Sequence, residues 1–198
     1  MTVPQPTSEE GQRLLEAAYG LFAELGYDQT ESQMIADVAG VSVAAIKAEF
    51  GSKRGLYLEV MKRVHLEEQE IFEQMAAHYT YDAEGLHRIV DRYLDYFVDH
   101  PRSAALWAQR RMYDATDLRE VEVAYNYPPA RNIVEMTAGA VRPEVDMELL
   151  VWTIVWAVQT FVYSGFPNAE GGRVDATDPR ALERFRRHIH TVVGALTR

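Results

Sequence analysis

Cysteine is missing from all 198 residues, so disulfides, thiolate nucleophiles and thiolate-held metals are excluded. The absence fits a reducing compartment. Basic residues are scarce: 20 Lys and Arg stand against 30 Asp and Glu, for a net charge of −10. A general nucleic-acid binder would carry a basic face, and this balance argues against one; a specific binder depends on charge at the contact rather than on the sum. The opening MTVPQPTSEEGQ has no basic segment followed by an apolar run and does not read as a signal peptide. The most apolar stretch, Leu149 to Tyr163, is too short to span a bilayer and contains Gln159 and two threonines. The expectation is a buried helix in a cytoplasmic protein with no membrane partner.

Catalytic signatures are missing as well. The six histidines, His65, His78, His87, His100, His188 and His190, form no H-E-x-x-H, and the last two are two apart, on different sides of a helix. There is no nucleophile elbow, phosphate loop or redox cysteine pair. The acidic residues are spread as solvated helix faces. No metal, cofactor or enzymatic activity is expected.

What the chain does have is helical periodicity, with no persuasive strand alternation, so the fold is expected to be all-α. Residues 1–7 read as a loose polar arm, with Thr7 and Glu10 spaced as a capping box. Leu14, Leu15, Ala18, Leu21, Phe22 and Leu25 give the first helix one apolar face, and Gly26 is placed to end it. Thr30 or Ser32 can cap a short second helix carrying Ile35, Val38 and Ala39. Gly40-Val41 makes a tight turn, and Ser42 caps a third helix in which Ile46 and Phe50 lie four apart. A long helix is expected over 53–77, about 37 Å at 1.5 Å per residue, enough to link two domains. After a linker come helices over 84–100 and from Pro101. Thr116 can cap a further segment, which Pro128-Pro129 should kink or break. Gly139 to Asp146 is a stop and restart, Met147 to Ser164 is apolar on nearly every side, the loop 165–178 is hydrophilic, and Asp178-Pro179 opens the last helix.

Two short helices about a Gly-containing turn are the form that presents a helix to the DNA major groove. In residues, Leu21-Phe22-Ala23-Glu24-Leu25-Gly26-Tyr27, Thr30, Ile35-Ala36, Ala39-Gly40-Val41-Ser42, Phe50, Ser52-Lys53 and Leu56 resemble the TetR-type family of one-component transcriptional regulators. The pattern covers the first quarter of the chain. The rest resembles the family in the order and size of its helices and in the G-x-x-R-P-x-x-D connector before an apolar helix.

The resemblance implies an N-terminal three-helix DNA-binding domain with a helix-turn-helix, residues 8–52. A larger C-terminal helical ligand-binding and dimerisation domain, residues 53–198, would follow. Its implied partners are double-stranded DNA, a small-molecule effector and a second copy of the chain. Effector binding would change the separation of two reading heads and release a palindromic operator. Thr30, Ser42 and Lys53 match family phosphate-contact positions, and Gln33 can add a base or phosphate contact. The reading helix departs from the pattern: Ala44-Ala45 replaces a small polar or Gly-Thr pair, Lys47 a tyrosine and Glu49 a histidine, while Met34 precedes Ile-Ala in the helix before. Val43, Ala44 and Ala45 can touch thymine methyls but not make bidentate base contacts, whereas Lys47 keeps a phosphate role. Residues 1–60 hold four Lys or Arg and nine Asp or Glu, so any binding should be salt-sensitive, moderate in affinity and partly a reading of DNA shape.

Aromatic residues crowd the C-terminal part. Tyr93, Phe97, Trp107, Tyr113, Trp152 and Trp156 suit an apolar cavity between helices, with Arg110 and Gln159 as polar groups able to orient a ligand. The plainer reading makes each an ordinary core residue. The last two helices carry more apolar surface than a small domain usually buries. Val155, Val162, Leu182, Phe185, Ile189, Val192, Val193 and Leu196 are therefore candidates for a dimer interface, or else complete the monomer core. Two alternatives stay open: a helical dimer of the same type with weak or lost DNA binding, and an unrecognised helical enzyme.

Overall fold

A computed structural model describes residues 8–197. The arm expected over residues 1–7, with the Thr7 cap, lies outside the described residues. Ser8 caps the first helix, its hydroxyl oxygen accepting from Gly11 N at 2.9 Å. Nine α-helices follow among the described residues: α1 Glu9–Leu25, α2 Ser32–Ala39, α3 Val43–Phe50, α4 Lys53–Ala77, α5 Ala83–Asp99, α6 Pro101–Arg111, α7 Tyr127–Thr137, α8 Met147–Ser164 and α9 Pro179–Leu196. The protein is all-α apart from one correction. Residues 165–178 carry a short antiparallel pair, Phe166–Pro167 with Val174–Arg173, where only a hydrophilic loop was expected. Gly165 makes this possible: its φ is +63°, and a Cβ there would collide with the Val174 carbonyl.

α1 to α3 form a small bundle whose core is set by Leu14, Phe22, Ile35 and Ile46. That core does not close on itself. Phe22 meets the Tyr57 ring edge-on at 5.1 Å, and Tyr57 belongs to α4. The buried cluster runs on without interruption through Leu94, Phe97 and Leu106 to Val158 and Phe161. α4 is thus a beam shared by both halves, each fully buried side chain on it contributing about 1.5–3 kcal/mol.

Between α6 and α7, Pro128 and Pro129 stand where two short helical segments meet. Residues Glu122–Asn126 wind as a π-helical turn that runs directly into α7, and the prolines fall in its first turn, where their missing N–H groups cost nothing. Just before it, Tyr113 and Ala115 have φ of 68° and 51°. Left-handed backbone at two side-chain-bearing residues is strained, and it persists because the surroundings hold it. Arg110 donates to the carbonyls of Ala115 at 2.7 Å and Leu118 at 3.2 Å and is paired with Glu122.

α8 is not the buried helix expected. Its 18 residues, with mean hydropathy 1.3, are long and apolar enough by length and composition to cross a membrane. One side packs into the core through Leu150, Ile154, Val158 and Phe161, while Leu149, Trp156 and Tyr163 stand exposed on the other. α9 packs mainly on α5 and meets α8 through the stacked rings of Phe161 and Phe185, 4.1 Å apart.

Candidate nucleic-acid interface and effector cavity

The turn between α2 and α3 rests on Gly40, which is left-handed at φ 66° and closes α2, while Val41 N donates to Ala36 O at 3.1 Å. Ile35, Ala36 and Ala39 of α2 and Ile46 of α3 point inward. Ser42, Val43, Ala44, Lys47 and Ala48 face outward. The Ser42 hydroxyl makes no capping bond, so it and the first amides of α3 are open to an external acceptor. Lys47 makes no ion pair among the described residues and is the exposed cation of this helix. Glu49 accepts a hydrogen bond from Ser8 Oγ at 2.8 Å, which turns its charge towards the start of α1.

Three of the expected DNA contacts are engaged within the protein. Ala45 is 8% exposed, because at one residue before Ile46 it shares the inward side of α3. Thr30 is fully buried and its hydroxyl donates to Gly26 O at 2.6 Å, so it locks the α1–α2 turn. Lys53 donates to the carbonyls of Tyr27 and Thr30, both at 2.9 Å, and lies 4.2 Å from the centre of the Tyr27 ring. These groups hold the reading head together instead of facing outward. Gln33 is exposed but donates to Asp37 within α2 at 2.7 Å.

The reading head is clamped to the rest of the protein by Asp114, from the strained loop after α6. Its carboxylate accepts from the backbone N–H of Tyr27 and of Asp28, both at 2.8 Å, and Ala115 N donates back to Asp28 at 3.3 Å. Arg54 at the start of α4 pairs with Glu120 beyond that loop.

Between α4, α5, α7 and α8 lies a wholly apolar cavity of about 70 Å³, bounded by side chains such as Phe72, Ile89, Tyr93, Ile133, Val151 and Ile154. Of the expected ligand residues, Tyr93 lines it and Phe97 packs edge-on against Tyr93, at 4.9 Å between centres. Gln159 donates to the Tyr93 hydroxyl at 3.0 Å and accepts from Arg111. Trp107 is buried, its N–H donating to Glu68 at 2.7 Å. Arg110 is taken up by the α6–α7 loop, so its role is structural. Tyr113 is 83% exposed and far from enclosed. Trp152 and Trp156 stack on each other at 6.2 Å towards the outer face of α8. These three are not brought to the cavity as ligand groups.

The dimer candidates divide likewise. Ile189 and Val193 are buried within the protomer, and Leu182, Phe185 and Leu196 pack against the same core, because α9 turns its apolar stripe to α5. Ile189 and Val193 thus complete the protomer core, while the half-buried Leu182, Phe185 and Leu196 keep part of their surface outside it. Val155, Val162 and Val192 stay half-buried, while Leu149, Trp156 and Tyr163 supply the exposed apolar surface.

Sequence reasoning missed Glu68 and Asp114. Glu68 carried a signal: it lies four residues from Val64 and four from Phe72, on the inward face of α4. Burial pushes its carboxyl up to about 8, against the opposing effect of the Trp107 hydrogen bond. Asp114 carried none, since its partners are 86 and 87 residues away.

A three-helix head presenting a helix-turn-helix, joined by one long helix to a larger helical body with an internal apolar cavity, defines a DNA-binding regulator of the one-component kind. The family model for bacterial regulatory proteins of the tetR family matches residues 14–60. The HTH-type transcriptional regulator HbdR of Aromatoleum sp. (strain CIB) is 30% identical over 174 residues, spanning 82% of this chain and 75% of that protein. In fold, the chain is similar to the ketosteroid transcriptional regulator KstR2 of Mycobacterium tuberculosis, with TM-score 0.71 at 20% identity over the whole of both chains. It is also similar to the fatty acid degradation regulator FadR of Bacillus halodurans, with TM-score 0.65 at 19% identity over 96% of each. The chain belongs to the TetR family of transcriptional regulators, which are DNA-binding and non-catalytic.

Proposed function

We propose that this regulator acts as a homodimer on a palindromic operator in the cytoplasm and releases it on binding a small, largely apolar effector. Residues 8–52 serve as the reading head and residues 53–198 as the effector and dimer domain. The observation that carries the DNA reading is the outward row Ser42, Val43, Ala44 and Lys47 on α3, set against a firmly packed inner row. With one free cation on this helix and open amides at its start, most affinity comes from neutral backbone donors and groove shape, and base discrimination is limited to apolar contact with thymine methyls. The effector reading rests on the small apolar cavity next to α4, the helix that carries the reading head. The dimer reading rests on Leu149, Trp156 and Tyr163, spaced 7 apart along one exposed side of α8.

The test is an anisotropy titration of the purified protein against palindromes flanking its own gene, with scrambled duplexes as controls, at two salt concentrations. Saturable, sequence-dependent binding supports the proposal. Equal binding to scrambled duplexes, or none at low salt, refutes it. The second outcome would favour a helical dimer that has lost DNA affinity, a reading encouraged by the internal use of Lys53 and Arg54.

A further inference from the structure

The end of α4 and the first half of α5 flank a cleft of about 420 Å³ whose exposed rim is basic. Arg88 and Arg92 lie one turn apart on α5, His78 stands opposite them just beyond α4, and no carboxylate lines the cleft. The chain carries 30 acidic residues against 20 basic ones, so this concentration runs against its overall charge. Arg92 donates to Gln74 Oε1 at 3.2 Å and forms no ion pair among the described residues. Arg88 donates to Thr80 and pairs with Glu84 at 2.7 Å, but the two charged side chains are 44% and 80% exposed, and such a pair is weak enough to open for a ligand. Asp82, the other acid near Arg88, is taken up in capping α5 through Gly85 N. His78 Nδ1 donates to Gln74 O at 3.0 Å, which leaves Nε2 for a partner outside the helix. Tyr79 in the same wall has a buried hydroxyl that makes no hydrogen bond. Below the rim, Met75 and Ile89 line this cleft and also line the inner cavity of about 70 Å³, so the two spaces adjoin there.

We propose that this cleft seats the head group of the effector and that the effector is an amphipathic organic anion. Its carboxylate or phosphate lies on Arg88 and Arg92, and its apolar tail passes between Met75 and Ile89 towards the inner cavity. This rests on the effector-responsive reading above and gives the effector a charge and an orientation. Guanidinium groups present paired N–H donors that match the oxygens of a carboxylate or phosphate, and Arg92 gains an anionic acceptor in place of an amide oxygen. A cation would meet two positive side chains and no carboxylate in the cleft wall. A neutral apolar molecule would leave the basic rim with nothing to bind.

Size divides the work between the two spaces. The inner cavity is too small for a whole effector but takes the end of a tail, while the outer cleft has the volume and the polar groups for the head. Arg88, Ile89 and Arg92 share one face of α5, so the anchor and the point of entry are adjacent, and Met75 is an adaptable side chain that can move aside. A ligand seated here bridges α5 to the far end of α4, about 37 Å from the end that carries the reading head.

The experiment is calorimetric titration of the full chain with octanoate, octyl phosphate, octanol, octylamine and acetate at about pH 7. The tighter of the two octyl anions identifies the head group and should bind about tenfold or more tighter than octanol, with octylamine weakest, since a hydrogen bond to a charged group is worth about that factor. Acetate should bind about tenfold or more weaker than octanoate, because each methylene taken out of water contributes about a fourfold factor. Arg88→Gln/Arg92→Gln, at two exposed positions and with the fold checked by circular dichroism, should bring the octyl anions to within about threefold of octanol and leave octanol unchanged. The wild-type ranking stands as a test even where that variant does not fold. The proposal is overturned by octanol or octylamine binding as tightly as the anions, by acetate matching octanoate, by an anion preference that survives the double substitution, or by no binding of any probe. Anion binding that leaves the operator complex intact would keep the anion site and overturn the effector-responsive reading alone.

Discussion

Replacing Asp114 by alanine should loosen the reading head from the rest of the molecule. The carboxylate accepts two backbone N–H bonds at 2.8 Å from the α1–α2 turn, and it comes from a loop already strained at Tyr113 and Ala115. A hydrogen bond to a charged group contributes about 1.5–3 kcal/mol. Asp28 is exposed and its amide can rehydrate, whereas Tyr27 is half-buried, so the pair together should be worth about 2–4 kcal/mol. In a chain of this size that lowers the thermal midpoint by about 5–15 °C. Asp114→Asn keeps one acceptor oxygen and should lose roughly half as much. Gly26→Ala attacks the same contact from the other side: at φ +82° its new Cβ would lie 2.9 Å from Asp114 Oδ1. Urea and thermal unfolding of the three single variants and of Gly26→Ala/Asp114→Ala provide the assay. The double variant should cost less than the sum of its parts, because both substitutions break one contact. A loss below about 0.5 kcal/mol for Asp114→Ala, or strict additivity in the double variant, would refute the clamp.

Lys47→Ala should weaken binding to every duplex alike and lower the salt slope by about two, one for each subunit of the dimer, measured by anisotropy across a salt series; an unchanged slope removes Lys47 from the phosphate contacts. Leu149→Glu/Trp156→Glu should convert the protein to monomer in sedimentation velocity without loss of helix content, and a persistent dimer would place the interface elsewhere. Glu68 gives a pH signature. Its folded carboxyl titrates at about 8 against an ordinary 4.5, so between those values the folded state holds a proton the unfolded state has released. Stability is therefore full below the ordinary value and falls as pH rises towards 8, by at most about 1.4 kcal/mol per pH unit. Glu68→Gln should flatten that fall and be the more stable protein at pH values of about 9; parallel pH–stability curves for the two would count against the buried acid.

The helices were legible because local periodicity dictates them. Leu14, Ala18, Phe22 and Ile46 are where an apolar spacing of three and four puts them, and Gly26 and Gly40 end their helices in the left-handed region. What was not legible depends on partners distant in sequence. Thr30 and Lys53 read as surface groups, yet their hydrogen bonds close the α1–α2 turn on itself. The stripe of α9 was visible, but whether Ile189 and Val193 face a partner or the protomer is decided by α5, about a hundred residues earlier. Trp152 and Trp156 have the composition of a pocket and the position of an outer face. The π-turn before Pro128 has no local pattern to announce it.

The shared core along α4 bears on how this regulator can be taken apart. Tyr57, Val60, Met61 and Val64 of α4 are all essentially buried, and Phe22 of the head packs against the first of them. A cut at residue 52 would leave Phe22 facing water and strip the α1–α2 turn of Lys53 and Asp114 together. The head is consequently no cassette. A hybrid that borrows another protein's reading helices must also carry over the outward half of α4 and the loop that ends α6, and exchanging specificity residue by residue on α3 is the gentler route to a new operator.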